Sequence, residues 1–198
     1  NSVVWDWIKR GFDIFVVISI ALLTWPLMII AALATLIETG RPIIYKQVRV
    51  GLNGLPFEIY KFRSMRTDAE IQGKAIWAGA NDSRVTKVGA FLRNTRIDEL
   101  PQLYNVLVGD MSIVGPRPER PEFVDDLNTQ LAFYPERHRV KPGLMGWAQL
   151  NYPYGASVED AAEKLRYDLY YVKNRSLLLD LVIMVQTIQV ILLGTGVR

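Results

Sequence analysis

Between Ile14 and Ile37 the chain carries no charged residue, and no other feature constrains its fold as much. A run of that length can cross a bilayer as one helix. Pro26, near its centre, removes a backbone donor, so the helix is expected to bend or break there. Lys9 and Arg10 precede the run, and Arg41, Lys46 and Arg49 follow it. Cations on both flanks fit poorly with a single crossing, because positive charge normally marks only the cytoplasmic end. A re-entrant helix that enters, turns at Pro26 and returns on the same side satisfies both flanks. A straight anchor and a core helix of a larger soluble domain are the other readings of the same run.

Composition narrows the chemistry. The 198 residues are enough for one compact domain with a core of its own. The absence of Cys removes thiol catalysis, thiolate zinc sites and disulfides, and a single His leaves no multi-histidine metal site. Half the residues are hydrophobic and 22% are charged, which excludes a disordered chain. The net charge of +3 admits lipid or phosphate partners without calling for a nucleic acid polymer. The chain begins at Asn1, not Met, and is expected to be a piece of a longer protein.

The fold class expected is α+β, mainly helical, with the re-entrant membrane helix and a small β-hairpin. Two β-branched and aromatic runs, Ile43–Val50 and Phe57–Phe62, flank Asn53-Gly54, a strong hairpin signal. Residues 67–83 read as a polar connection. Val85, Val88, Phe91 and Leu92 make the apolar face of a short helix that packs on the core or lies on a membrane. Leu100, Leu103, Tyr104 and Leu107 follow at helical spacing, stopped by Gly109. Residues 110–155 are rich in Pro and Gly but interleaved with Ile113, Leu144, Trp147 and Tyr152, which suits an ordered, loop-rich substrate region. A helix over 158–173 and an apolar tail from Leu177 to Leu193 complete the chain. The divisions expected are a re-entrant membrane helix (1–37), a main domain (38–176) and an interfacial or packing helix (177–198).

The densest chemical constellation is Arg93-Asn-Thr-Arg96-Ile-Asp98-Glu99-Leu-Pro101. Adjacent carboxylates at a helix start are most often a cap. Here they stand beside a membrane segment, clustered cations and Gly-Pro loops. A carboxylate near cations is expected to have a depressed pKa and to stay ionised, as a nucleophile must. Two neighbouring carboxylates can also divide labour, one attacking phosphorus and the other holding Mg²⁺, which favours one or two carboxylates plus substrate phosphates. Gly115-Pro116-Arg117-Pro118-Glu119 presents one Arg from a rigid loop, either to substrate or to solvent. Arg137, Arg139 and Lys141 lead into a second turn at Pro142-Gly143, another candidate anion site.

These segments together resemble the monotopic phosphoglycosyl transferases, bacterial sugar transferases that begin surface-polysaccharide assembly on a polyprenol phosphate. The resemblance is carried by Lys9-Arg10-Gly-Phe-Asp13, Pro42-Ile-Ile-Tyr-Lys-Gln-Val-Arg-Val-Gly51, Tyr60-Lys-Phe-Arg-Ser-Met65, Asp98-Glu-Leu-Pro-Gln-Leu-Tyr-Asn-Val106, Gly109-Asp-Met-Ser-Ile-Val-Gly-Pro-Arg-Pro118, Lys141-Pro-Gly-Leu-Met-Gly-Trp-Ala-Gln149 and Tyr167-Asp-Leu-Tyr-Tyr171. Asn151-Tyr-Pro-Tyr-Gly-Ala156 looks most like the exopolysaccharide branch, whose analogy points to glucose or galactose. The resemblance implies transfer of a hexose 1-phosphate from a UDP-sugar to undecaprenyl phosphate at the cytoplasmic face of a bacterial inner membrane, with 38–176 as the cytoplasmic catalytic domain. It implies Asp98 as nucleophile, Glu99 as its partner in holding Mg²⁺, and Arg93 as a phosphate contact. Lys61, Arg63, Arg93, Arg117, Arg137 and Gln149 form the candidate substrate-binding set. Asp13 is expected to tie the membrane helix to the site. Where the family often has Ser-Pro at the helix break, this chain has Thr24-Trp25-Pro26. A non-catalytic recruitment module and a membrane-surface nucleotide-sugar hydrolase stay open as alternatives, as does a homo-oligomer.

Overall fold

The computed structural model describes residues 3–66, 82–152 and 157–193. Most of the expected polar connection, and Pro153–Ala156 of the Asn-Tyr-Pro-Tyr-Gly-Ala segment, lie outside them.

Helix α1 runs from Val3 to Thr39 and is not interrupted at Pro26. The expected break is therefore absent as a gap in the helix. Thr24 donates its hydroxyl to Ile20 O at 2.8 Å, back-bonding of the kind that accompanies bends. Only 11% of the most apolar window of α1 is buried, and Leu22, Leu23 and Phe15 are among its most exposed side chains. Most of its apolar surface is therefore left uncovered by the rest of the described residues.

Both ends of α1 nevertheless rest on one body. Near its start, Arg10 donates to the carbonyls of Val106 and Leu107 at 2.5 and 2.6 Å. Asp13, buried, accepts from Lys9 (2.7 Å), the Ser112 hydroxyl (3.1 Å) and Ile113 N (3.2 Å), which ties α1 to the segment at Ser112. At the far end the Glu38 carboxylate accepts from Val88 N at 3.1 and 3.2 Å, satisfying a free amide in the first turn of α2 (Lys87–Asn94). A straight helix over this stretch would separate those contacts by about 40 Å, more than a hydrocarbon core is thick.

Strands β1 (Ile44–Val50) and β2 (Pro56–Phe62) form the hairpin, antiparallel, with Val50 opposite Pro56 and Ile44 opposite Phe62. Asn53 (φ 55°) and Gly54 (φ 78°) take the left-handed conformations that the turn requires. The outer edge of β2 is closed by a side chain. Asn105, fully buried, accepts from Tyr60 N at 3.2 Å and donates to Glu58 O at 2.7 Å, standing in for a third strand. It belongs to α3 (Leu103–Val108), which ends at Gly109 with φ 100°, the expected stop. The expected helical face is only half right: Leu103 and Val106 are buried, while Tyr104 and Leu107 are exposed. Likewise Leu92 of α2 is buried and Phe91 is exposed.

The Pro/Gly-rich region contains a second sheet that the sequence did not suggest. β3 (Ser112–Val114) pairs in parallel with β4 (Gly143–Met145). Each strand is too short to show a period of two. Backbone approach at their ends leaves no room for side chains: a Cβ on Gly143 would lie 2.0 Å from Gly115 N. Helices α4 (Pro121–Gln130), α5 (Trp147–Asn151), α6 (Val158–Asn174) and α7 (Leu177–Leu193) follow. The main core joins Val16 and Val17 of α1, Ile59 of β2, Leu103 and Val106 of α3, Ile113 and Val114 of β3, Tyr171 of α6 and Ile183 of α7. A second cluster sets Ala31 of α1 against Phe62, Leu92 and Ile97. Leu100 touches both clusters, which places the Asp98 segment at the seam between them.

Candidate active site

Asp98 and Glu99 lie in a 3-10 turn, Ile97–Gln102, not in the first turn of an α-helix as the spacing suggested. Pro101 and the left-handed Arg96 (φ 59°) bracket the turn. The cap reading of the pair fails as well, because α3 begins after the turn, at Leu103. Both carboxylates are buried, each 7% exposed.

Their surroundings differ. Glu99 Oε1 accepts from Lys61 Nζ and from Arg117 Nη2, both at 2.8 Å. Among the described residues Asp98 has no such partner, and its Oδ1 is buried without a hydrogen bond. Burial works against ionising Glu99, but Arg117 and Lys61 outweigh it and hold the carboxyl well below its ordinary range. Burial pushes the Asp98 carboxyl up, and the charge on Glu99 adds to this. The expected depression thus falls on the neighbour: the two cations are bound to Glu99, and Asp98 meets them only at longer range.

A buried acceptor atom without a donor, next to an ionised carboxylate, is a place for a cation. Among the described residues no group of three or more acidic or histidine side chains could hold a metal alone. The two carboxylates are oxygen donors, and they fit a hard divalent cation completed by phosphate oxygens and water. Asp98 and Glu99 are the residues that could hold it.

Of the candidate substrate-binding residues, the structure brings Lys61 and Arg117 onto the pair. The others have different partners. Arg63 is buried and donates to the Pro42 carbonyl. Arg93 Nε donates to Ser64 Oγ at 2.8 Å, fastening α2 to the end of β2. Gln149 lies against Gly146, where its Oε1 would be 2.8 Å from an added Cβ. Arg137 is buried behind the Arg117 loop and donates to Asp168, Tyr134 and the Arg117 carbonyl. The His138 imidazole is pushed down to about 4, chiefly by burial, and so is neutral at physiological pH.

Sequence reasoning left Arg96 and Gln102 out of the site. Arg96 precedes the pair and acts on both carboxyls through its charge. Gln102 shares their turn, 3% exposed, with Nε2 buried and unpaired. The available signal was their place in the quoted segments, Arg96 in the Arg93–Pro101 constellation and Gln102 in the Asp98–Val106 motif.

The structure thus joins a long apolar helix to a body that carries an acidic pair bound by two cations. The chain matches the family model for bacterial sugar transferases over residues 4–194 and belongs to that family. It is 46% identical over 197 residues to a UDP-N-acetylgalactosamine-undecaprenyl-phosphate N-acetylgalactosaminephosphotransferase of Aeromonas hydrophila, covering 100% of this chain and 46% of that protein. It is 43% identical over 182 residues to a UDP-glucose:undecaprenyl-phosphate glucose-1-phosphate transferase of Klebsiella pneumoniae, covering 91% of this chain and 39% of that protein. An uncharacterized sugar transferase of Bacillus subtilis, EpsL, is 38% identical over 191 residues, with 96% of this chain and 90% of that protein covered. The chain spans less than half the length of the first two relatives.

Proposed function

We propose that the chain transfers a sugar 1-phosphate from a UDP-sugar to undecaprenyl phosphate at the cytoplasmic face of the membrane, through a phosphosugar carried on Asp98. The observation that supports this best is the asymmetry of the acidic pair. Glu99 is fixed by two cations, while Asp98 has a buried oxygen with no hydrogen-bond partner among the described residues.

In the first half-reaction an Asp98 carboxylate oxygen attacks the β-phosphorus. The bond from that phosphorus to the bridging oxygen breaks, and UMP leaves with the electron pair. Lys61 and Arg117, already at Glu99, supply positive charge where phosphate oxygens gain negative charge. In the second half-reaction an oxygen of the lipid phosphate attacks the same phosphorus and frees the Asp98 carboxylate. No base is needed for this step, since that oxygen is already anionic. Asp98 and Glu99 would hold Mg²⁺, which would supply positive charge to offset the negative charge gained by the departing UMP. A covalent route also suits substrates from different phases, one in water and one confined to the bilayer.

The test is turnover in lipid nanodiscs with undecaprenyl phosphate and a panel of UDP-N-acetylgalactosamine, UDP-glucose and UDP-galactose. The expected result is UMP release matched by a lipid-linked sugar from at least one donor. Nucleotide release without a lipid-linked product would indicate a hydrolase, and no reaction with any donor would favour a recruitment module.

The same reading places residues 1–13 and 38–198 on one side of the membrane. Its support is that Arg10 and Glu38 both bind the catalytic body. Single cysteines replacing Ser2 and Asn53 should label equally with an impermeant thiol reagent in inverted vesicles. Labelling of Ser2→Cys only from the periplasmic side would show a spanning helix.

A further inference from the structure

Four consecutive carbonyls of the Gly-Pro-Arg-Pro-Glu loop each accept a hydrogen bond from the body. Pro116 O accepts from Gly143 N at 2.9 Å, and Glu119 O from Val50 N at 2.9 Å. Between them, Pro118 O accepts from Arg49 Nη1 at 3.1 Å and Arg117 O from Arg137 Nη2 at 2.8 Å. The outer two bonds come from backbone and do not depend on side-chain identity. The bond to the Arg117 carbonyl depends on one guanidinium.

That guanidinium is itself fixed. Arg137 donates from Nε to Asp168 Oδ2 at 3.0 Å, with Nη2 in ion-pair contact with the same oxygen at 2.8 Å, and from Nη1 to the Tyr134 hydroxyl at 3.0 Å. Its planar fork is therefore held from three directions, and a fork so held has one orientation. Arg137 is 5% exposed and Asp168 2% exposed, so water does not compete for these bonds. Burying such a pair gives little net stability by itself, which leaves the geometry it imposes as the effect to explain. The line of bonds runs from α6 through Arg137 to the Arg117 backbone, then along the Arg117 side chain to Glu99 and its neighbour Asp98.

We propose that Asp168, acting through Arg137, is a positioning residue that sets where the Arg117 guanidinium meets the acidic pair. This moves Arg137 out of the substrate-binding set and gives α6 a part in the site without contact to substrate. The inference rests on the transferase reading for its kinetic consequence but not for its structural one, so two measurements separate them.

The first is hydrogen exchange of the full chain in nanodiscs. Asp168→Asn should speed exchange of the backbone amides over 112–120 while those of α1 keep their rates. Unchanged exchange over 112–120 would overturn the proposal whatever the enzyme's substrate. The second is a double-mutant cycle on transfer. Arg117→Ala and Asp168→Asn should each lower kcat/KM on the order of 100-fold, the scale of a misplaced catalytic contact. If Asp168 works through Arg117, the double variant should be about as slow as Arg117→Ala alone. Losses that multiply would show a general structural role and overturn the proposal. Tyr134→Phe, which removes only the hydroxyl acceptor, provides a milder variant with an expected loss of roughly fivefold, again absent in the Arg117→Ala background. A wild-type chain with no transfer to any acceptor would count against the transferase reading, and the exchange result would still decide the clamp.

Discussion

Asp98→Asn is expected to lower transfer by at least about 10⁴-fold, the scale seen when an enzyme loses its nucleophile. The amide has nearly the shape of the acid, so the 3-10 turn and its bracketing by Arg96 and Pro101 should persist. An amide oxygen is a poor nucleophile toward phosphorus, and the loss should appear in kcat. Substrate should still bind, because Lys61 and Arg117 are held by Glu99 and not by Asp98. Steady-state transfer and UDP-sugar binding, measured on the same preparation, check this. Near wild-type turnover would remove Asp98 from the chemistry.

The second large effect concerns the divalent cation. Excess chelator should lower transfer by at least about 10³-fold, and added Mg²⁺ should restore it, since charge neutralisation on a departing phosphate is worth several kcal/mol. The motive is a buried Asp98 oxygen without a donor beside an ionised Glu99. Glu99→Gln should slow both half-reactions and raise the Mg²⁺ concentration needed for half-maximal rate. That variant also strips Lys61 and Arg117 of their shared carboxylate, so the Mg²⁺ dependence, and not the rate alone, is the quantity to read. Full activity in excess chelator would show that the pair works without a metal.

Much of this was legible in the sequence, for reasons that can be named. The hairpin was legible because Asn53-Gly54 is one of few ways to turn a chain in so short a space, and β-branched and aromatic runs flank it on both sides. Gly109 was legible as a helix stop because a positive φ of 100° disfavours other residues. The acidic pair was legible because two adjacent carboxylates among cations stand out in any chain. What stayed hidden depends on contacts between distant segments. The parallel pairing of β3 with β4 joins strands far apart in sequence through pairs such as Ser112 with Gly143. Which carboxylate the cations would bind could not be read from Asp98-Glu99 alone, since Lys61 and Arg117 come from segments on either side of it. Asn105 gave no sign of closing the β2 edge, and Arg137, ahead of the Pro142-Gly143 turn, read as a substrate contact because its partner Asp168 lies 31 residues away.

The most direct test is the mass of the protein itself. The chain in nanodiscs would be incubated with Mg²⁺ and either UDP-N-acetylgalactosamine or UDP-glucose, without undecaprenyl phosphate. With the accepted donor, the account predicts one UMP released per protein and an intact mass raised by one phosphosugar. Peptide mapping should place the adduct on Asp98, and added acceptor should discharge it. UMP release that requires undecaprenyl phosphate, with no mass gain in its absence for a donor that supports turnover, would contradict the account. Direct attack of the lipid phosphate on the UDP-sugar would then replace the covalent route.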